Sequence, residues 1–153
     1  MSIREKISSL GLALPTAATP VAAYVPAIKS GNLIFTAGQL PVVDGKLVKQ
    51  GKVGAEVSAE DAKELAQICA LNALAAISLV ADLDQIERIV RLGGFVNCAQ
   101  GFVAISGVIN GSSEFLLKVF GEINGKHART VVGVAELPLN APVEIELIVQ
   151  LKS

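Results

Sequence analysis

The stretch HARTVVGVAELP, residues 127–138, holds the side chains best suited to chemistry in this sequence. His127 is the only histidine, so one chain cannot build a catalytic pair of histidines, and its position predicts a surface or capping residue after Gly125. Arg129 opens a strand-like run, where an arginine is most often simply solvated. A guanidinium can also grip a carboxylate through two parallel, charge-assisted hydrogen bonds. If Arg129 serves a site, the ligand it implies is a small acid.

Tyr24 and Gly38 form a second pair of candidates. The strings AYVPAI and LIFTAGQLPV are typical of strands, and KSGN between them is typical of a turn. A turn centred near Gly31 places Tyr24 about opposite Gly38, so a phenol and exposed backbone N–H groups would share one patch. Taken singly, Tyr24 is a packing residue with a wet hydroxyl, and Gly38 is a turn glycine that closes a strand.

Hydrophobic spacing and helix caps predict an α+β domain with two helices on one face of a mixed sheet. Ser2 with Glu5, and Ser58 with Asp61, match the pattern that begins a helix. The predicted elements are a short first helix that ends at Gly11, strands within 23–28 and 33–42, a brief strand within 44–51, a long helix over 59–81, a strand over 86–99, a helix over 112–125, and strands over 130–137 and 143–151. The last two strands are predicted to form a hairpin around the loop PLNAP. In that register Glu144 lies opposite about residue 136, roughly 20 Å along the strand from Arg129.

The composition of the chain limits its expected partners and cellular location. The chain has 153 residues, enough for one domain, and 13 basic against 14 acidic residues give a net charge of −1, so nucleic acid is not an expected partner. A 52% apolar content and a mean hydropathy of +0.57 are high for a chain of this size and favour apolar subunit interfaces. The longest apolar run, 68–81, is too short to span a bilayer, and no export signal is legible, so a cytoplasmic protein is expected. Cys69 and Cys98 lack metal-ligand spacing and are interpreted as reduced thiols; no metal site is expected.

Two long stretches, AYVPAIKSGNLIFTAGQLPV and HARTVVGVAELPLNAPVEIELIV, resemble the YjgF/Rid family, whose members are described as endoribonucleases or as imine/enamine deaminases. The resemblance runs from Ala22 to Leu151 and leaves residues 1–21 as a helix and connector in front of a domain at 22–153. It implies a chorismate-mutase-like fold and a homotrimer whose sheets form a central barrel, with three ligand clefts between subunits. It implies no cofactor.

The resemblance also assigns roles to residues. It implies that Arg129 binds the substrate carboxylate and that Tyr24, Gly38 and Asn110 contribute to substrate binding. Glu144 matches the family's acidic residue and would act as general acid–base for a water that adds to a C=N carbon, yielding a 2-oxo acid and ammonium. Two positions depart from the family pattern: Val131 stands where several deaminases have cysteine, and Gly133 replaces a common glutamate.

Two other functions remain open at this point. A small-acid sensor or partner-regulating trimer would use the same cleft without turnover. A ribonuclease would need a basic groove and an acid–base pair, which one histidine and a net charge of −1 argue against. For a deaminase, the predicted separation of Arg129 and Glu144 requires that they come from different subunits of a cyclic trimer.

Overall fold

A computed structural model describes residues 1–20 and 22–153; Val21, the last residue of the predicted connector, lies outside the described residues. The elements are α1 (Ile3–Ser9), β1 (Ala27–Ser30), β2 (Leu33–Thr36), β3 (Val42–Val43), β4 (Lys46–Leu47), α2 (Ala59–Ile77), β5 (Ile86–Asn97), α3 (Ile105–Asn124), β6 (Ala128–Val134) and β7 (Val143–Leu151), with short 3₁₀ turns at Leu83–Gln85 and Pro138–Asn140. Five strands form one mixed sheet in the order β1-β2-β7-β5-β6, and β3 pairs with β4. The predicted α+β class is confirmed.

The predicted first hairpin forms, but β1 begins at Ala27, four residues later than predicted, and includes Lys29 and Ser30 of the predicted turn. Strands β1 and β2 pair antiparallel, with Ser30 opposite Leu33, so the turn consists of Gly31 and Asn32. Gly31 has φ +60°, a conformation that glycine adopts without steric cost. The regular pairing ends at Ala27 opposite Thr36, which leaves Tyr24 and Gly38 just beyond the ladder.

The predicted final hairpin is wrong. Strand β7 lies in the middle of the sheet, antiparallel to both β2 and β5, whereas β6 lies at the sheet edge and pairs parallel with β5. Helix α3 provides the crossover that parallel neighbours require. The strict alternation of buried residues along β7 fits both a hairpin and a central strand, so the sequence pattern could not distinguish them. Glu144 consequently lies opposite Phe95, and Arg129 lies opposite Leu92.

Helices α2 and α3 cover one face of the sheet, as predicted. Ser58 caps α2 by accepting a hydrogen bond from the backbone N–H of Asp61. The two helices approach so closely that a Cβ on Gly111 would lie 1.9 Å from the carbonyl oxygen of Lys63, so only glycine fits there. Helix α1 is the third helix of this layer. Ser2 and Glu5 form the predicted capping box at its start, and Ile7 is fully buried in the core.

The start of α3 was predicted seven residues too late. The helix begins at Ile105, without a side-chain cap, and includes Gly107 and Gly111, two residues of low helix propensity. Tertiary packing overrides that propensity, because the buried face of the helix includes Val108 and Ile109. Asn110, predicted to open this helix, lies in its second turn.

The other face of the sheet has no covering layer within the described residues. It presents Phe35, opposite Ile148 of β7 and Ile28 of β1, and Phe95, opposite Val132 of β6. The exposed fractions of Ile28 and Phe35 are 58% and 38%, high for such side chains. This exposed apolar face is where the predicted barrel of a trimer would be buried; the trimer itself stays a prediction.

Candidate functional site

Arg129 lies on the edge strand β6 and points to the helix-covered side of the sheet. Its Nη1 donates hydrogen bonds to Asn110 Oδ1 at 2.8 Å and to Ser113 Oγ at 3.2 Å, both on α3. The two α3 residues are three positions apart, and therefore on one side of the helix. The structure thus brings together Arg129 and Asn110, two of the residues that the sequence singles out.

The charge of Arg129 is oriented without being neutralised. Within residues 1–20 and 22–153, no Asp or Glu carboxylate lies within 4.0 Å of its guanidinium, and its Nε and Nη2 groups have no hydrogen-bond partner. The side chain is partly buried, so its conformation is restricted. A fixed guanidinium with one free edge is suited to binding a carboxylate through two parallel hydrogen bonds.

His127 lies beside Arg129 and is more than a cap. Its Nδ1 contacts the carbonyl oxygen of Gly125 at 2.6 Å, which is the predicted capping contact, and its Nε2 lies 3.0 Å from Ser113 Oγ. Burial lowers the pKa of His127; the hydrogen bond to Gly125 acts in the opposite direction, and the positive charge of Arg129 adds to the lowering. Ser113 was missed by sequence reasoning, because its contacts depend on α3 lying beside β6.

Tyr24 and Gly38 meet in a different place. They line a pocket of about 150 Å³ together with Pro20 and Gln39, so the predicted patch of phenol and backbone groups exists. Asn72 of α2 also lines the pocket and donates hydrogen bonds to the carbonyl oxygens of Leu40 and Val42, at 2.9 and 3.0 Å. These bonds tie the segment after Gly38 to the helix layer.

The carboxylate of Glu144 lies directly against Gly38. A Cβ on Gly38 would be 1.8 Å from Glu144 Oε1, so the missing side chain of the glycine provides the space that the carboxylate fills. Burial raises the pKa of Glu144, and the nearby charge of Glu146 raises it further. Glu146 itself is paired with Arg91, with an N–O distance of 3.4 Å. A partly buried carboxyl group with a raised pKa is suited to proton transfer.

Arg129 and Glu144 do not meet within one chain. Their partners on β5, Leu92 and Phe95, are three residues apart, and β6 and β7 lie on opposite sides of β5. The Cα atoms of Arg129 and Glu144 are therefore about 14 Å apart. They also lie on opposite faces, since Arg129 contacts α3, whereas Glu144 alternates with the buried residues that face the helices. The 20 Å separation along a hairpin that the sequence predicts is therefore replaced by a separation across the sheet.

The remaining residues that the sequence singles out take no part in the contacts described above. Val131 packs against the core, and a Cβ on Gly133 would lie 2.9 Å from Cys98 Sγ. Cys69 is buried and Cys98 partly buried, and both are free thiols. Among the residues that the structure describes, no group of three or more His, Cys, Asp or Glu side chains could hold a metal ion. In that same part of the chain, no helix combines the length and apolar character needed to cross a membrane.

Comparison with known proteins gives matches over nearly the whole chain. The family described as YjgF/chorismate mutase-like, "putative endoribonuclease", matches residues 4–151. Protein TCP17 of Trypanosoma cruzi is 38% identical over 152 residues, which are 99% of this chain and 95% of that protein. The 2-iminobutanoate/2-iminopropanoate deaminase of Escherichia coli strain K12 is 30% identical over 138 residues, 90% of this chain and 94% of the enzyme.

The crystal structure of Atu1372 from Agrobacterium tumefaciens, a protein of unknown function, has a TM-score of 0.89 and 42% identity, covering 99% of this chain and 94% of that one. The family match begins at residue 4, so it includes all but the first residue of α1 and is wider than the resemblance from Ala22 to Leu151.

Proposed function

This chain belongs to the YjgF/chorismate mutase-like family, and on that premise we propose that it hydrolyses reactive 2-imino and 2-enamino acids to 2-oxo acids and ammonia. The observation that carries the proposal is the guanidinium of Arg129, which neutral partners hold in place and no described carboxylate neutralises. Relatives named 2-iminobutanoate/2-iminopropanoate deaminase, at 30 and 31% identity, support the choice of substrate.

In the proposed complex, Arg129 binds the substrate carboxylate with its Nε and Nη2 groups. Asn110 and Ser113 hold Nη1 and so fix the plane of the guanidinium. A planar fork that is already oriented loses little conformational entropy on binding and places the neighbouring C=N carbon in a defined position.

The proposed site lies between subunits of a homotrimer. Arg129 and Glu144 occupy opposite faces of one sheet, so a single cleft can contain both only if a second copy supplies one of them. Exposed Ile28 and Phe35 on the face that carries Glu144 favour contact with further copies. In a cyclic trimer, each cleft would combine Arg129 of one subunit with Tyr24, Gly38 and Glu144 of its neighbour.

The reaction needs only water and proton transfer. Glu144 takes a proton as a water oxygen bonds to the C=N carbon, and it returns a proton to the nitrogen of the tetrahedral adduct. The hydroxyl proton of this adduct then passes to the nitrogen by way of Glu144. The C–N bond breaks, ammonia leaves, and the remaining C–O bond becomes the carbonyl of the 2-oxo acid. The raised pKa of Glu144 suits this role, because it makes the carboxylate a better proton acceptor than an ordinary glutamate.

The test is a panel of 2-imino acids generated in situ by an amino-acid oxidase, with the rate of ammonia release as the measurement. Wild-type protein is expected to accelerate release, Arg129→Ala to abolish the acceleration, and Arg129→Lys to restore little of it, since an ammonium cannot reproduce the two-point grip. The exposed Arg88, near the start of β5, provides a matched control as Arg88→Ala.

Each contrary result would support a different conclusion. Near-full turnover by Arg129→Ala would remove the arginine from the site. Saturable binding of small 2-oxo acids without turnover of any imine would indicate a carboxylate-binding or partner-regulating trimer. Cleavage of RNA by wild-type protein that Arg129→Ala abolishes would favour the endoribonuclease that the family description mentions.

A further inference from the structure

We propose that Ser113 and His127 form a nucleophile–base pair that performs acyl transfer, hydrolysing small activated esters, as an activity separate from imine hydrolysis. Ser113 Oγ and His127 Nε2 are 3.0 Å apart, within hydrogen-bond reach. A hydroxyl beside an imidazole that a third group orients is the arrangement that activates a serine.

The hydrogen bonds fix the direction in which the proton moves. A carbonyl oxygen can only accept a hydrogen bond, so Nδ1 of His127, which faces the carbonyl of Gly125 at 2.6 Å, carries the ring proton of the neutral imidazole. Nε2 then presents a lone pair to Ser113, whose hydroxyl donates to it. The carbonyl group of Gly125 thus orients the imidazole, as a carboxylate does in many serine hydrolases.

Arg129 completes the group. Its Nη1 donates to Ser113 Oγ at 3.2 Å, so the serine oxygen accepts one hydrogen bond and donates another. The positive charge favours the alkoxide form of Ser113 and lies where an oxyanion formed on attack would be stabilised. The charged groups around His127 are Arg129 and Lys126, and Lys126 is paired with Glu122 at 3.0 Å. Burial lowers the pKa of His127 against the opposing hydrogen bond to Gly125, and Arg129 adds to the lowering, which favours the neutral imidazole that a base requires.

The surroundings select small substrates. Ser113, Leu117, Lys126, His127 and Arg129 line one shallow, open depression at the end of α3. Leu117 supplies an apolar wall for a short acyl chain, and the positive charges of Arg129 and Lys126 favour the negative charge that develops on the carbonyl oxygen and on the leaving oxygen. We therefore infer that the substrates are esters with short acyl chains and good leaving groups.

The proposed step balances as follows. Ser113 Oγ bonds to the ester carbonyl carbon as its proton passes to His127 Nε2, and the carbonyl oxygen becomes an oxyanion beside Arg129. The bond to the leaving alcohol breaks, and the alcohol takes the proton from Nε2. Water, deprotonated by His127, then attacks the acyl-serine and releases a carboxylic acid, which restores Ser113.

The experiment uses p-nitrophenyl acetate with the full-length protein and follows p-nitrophenol release together with peptide mass spectrometry. We expect one acetyl group on the peptide that contains Ser113, and a rate that falls by roughly 100-fold in Ser113→Ala and in His127→Gln, the loss typical of a missing nucleophile or base. Ser112→Ala is the matched control. Ser112 is the neighbouring serine, and its hydroxyl donates a hydrogen bond to the carbonyl oxygen of Ala66, between α3 and α2. It is expected to keep the wild-type rate.

Several results would overturn the proposal: acetylation confined to lysines or the N-terminus, an equal loss in Ser112→Ala, or full activity in Ser113→Ala. His127→Gln changes a residue outside α3, so it tests the pair even if a substitution in that helix disturbs folding, and melting temperatures of all variants identify such cases. The ester assay contains no imine. Its failure leaves the imine result unaffected, and failure of the imine assay does not affect this one.

Discussion

Replacing Gly38 by alanine tests whether the position of the Glu144 carboxylate governs turnover. The new Cβ would lie 1.8 Å from Glu144 Oε1, and ordinary contact begins near 3.4 Å, so the oxygen must move by about 1.6 Å. The atom that moves is the end of a flexible side chain, so the fold can absorb the substitution by rotating Glu144. We expect the free energy of unfolding to change by less than about 1 kcal/mol, because alanine also restricts the unfolded chain.

Turnover should respond far more than stability. A misplacement of about 1 Å in a reacting group costs roughly 100-fold in rate, so kcat for imine hydrolysis should fall by about that factor in Gly38→Ala. KM should change less, since in the proposed complex Arg129 binds the carboxylate of the substrate elsewhere in the cleft. The assay is ammonia release from an in situ 2-imino acid, accompanied by urea unfolding of the same sample.

Gly93→Ala provides the matched control on the same face of the sheet. Its Cβ would lie 2.6 Å from Glu146 Oε1, so it displaces the neighbouring carboxylate and leaves Glu144 in place. Gly93→Ala should keep most of the wild-type kcat. Near-wild-type kcat in Gly38→Ala, or equal losses in the two variants, would refute the argument that the placement of Glu144 controls the reaction.

Four further outcomes are expected. Light scattering should return a mass near three times 15.8 kDa, and a stable monomer at micromolar concentration would contradict the trimer. Refolding Arg129→Ala and Glu144→Ala together should restore activity from two inactive proteins, because each mixed trimer has about one cleft in three that carries both native residues. Mixed trimers without recovery would place both residues in one chain or remove Glu144 from the mechanism. The raised pKa of Glu144 means that ionisation of this group opposes folding. The free energy of unfolding of wild type, relative to that of Glu144→Gln, should therefore decline as the pH rises from the ordinary pKa of 4.5 through the raised pKa. Urea unfolding at a series of pH values measures this difference. Asn110→Asp should raise KM for imines at nearly unchanged stability, because it places a carboxylate about 2.8 Å from Nη1 of Arg129 and neutralises the cation; an unchanged KM would show that the charge is not used.

The elements with local signals could be predicted from the sequence. Ser58 followed by Asp61 marks the start of α2, and the Gly31–Asn32 turn marks the first hairpin, because caps and tight turns depend on a few adjacent residues. The same reasoning placed Tyr24 near Gly38. Arg129 was singled out by the chemistry of its side chain and Asn110 by the family resemblance alone, and the structure joins the two by a hydrogen bond.

The remaining features depend on contacts between distant parts of the chain. The position of β7 between β2 and β5 is decided by which strands share its hydrogen bonds, and the alternation along β7 carries no such information. The first turns of α3 contain Gly107 and Gly111, which predict a loop locally. Gly111 is needed because Lys63 of α2 lies against it. Ser113 could not be assigned to a site until α3 was placed beside β6.

The partners of Arg129 explain why an arginine can stand at the start of this strand. A carboxylate from the same chain would stabilise the cation and occupy the position that a substrate carboxylate needs. Asn110 and Ser113 instead accept hydrogen bonds as neutral oxygens, so they fix the guanidinium and leave its full charge available. An anion bound at the free edge of the guanidinium would offset the cost of holding this partly buried, unpaired cation, and this supports the proposal that Arg129 serves a ligand rather than the stability of the fold.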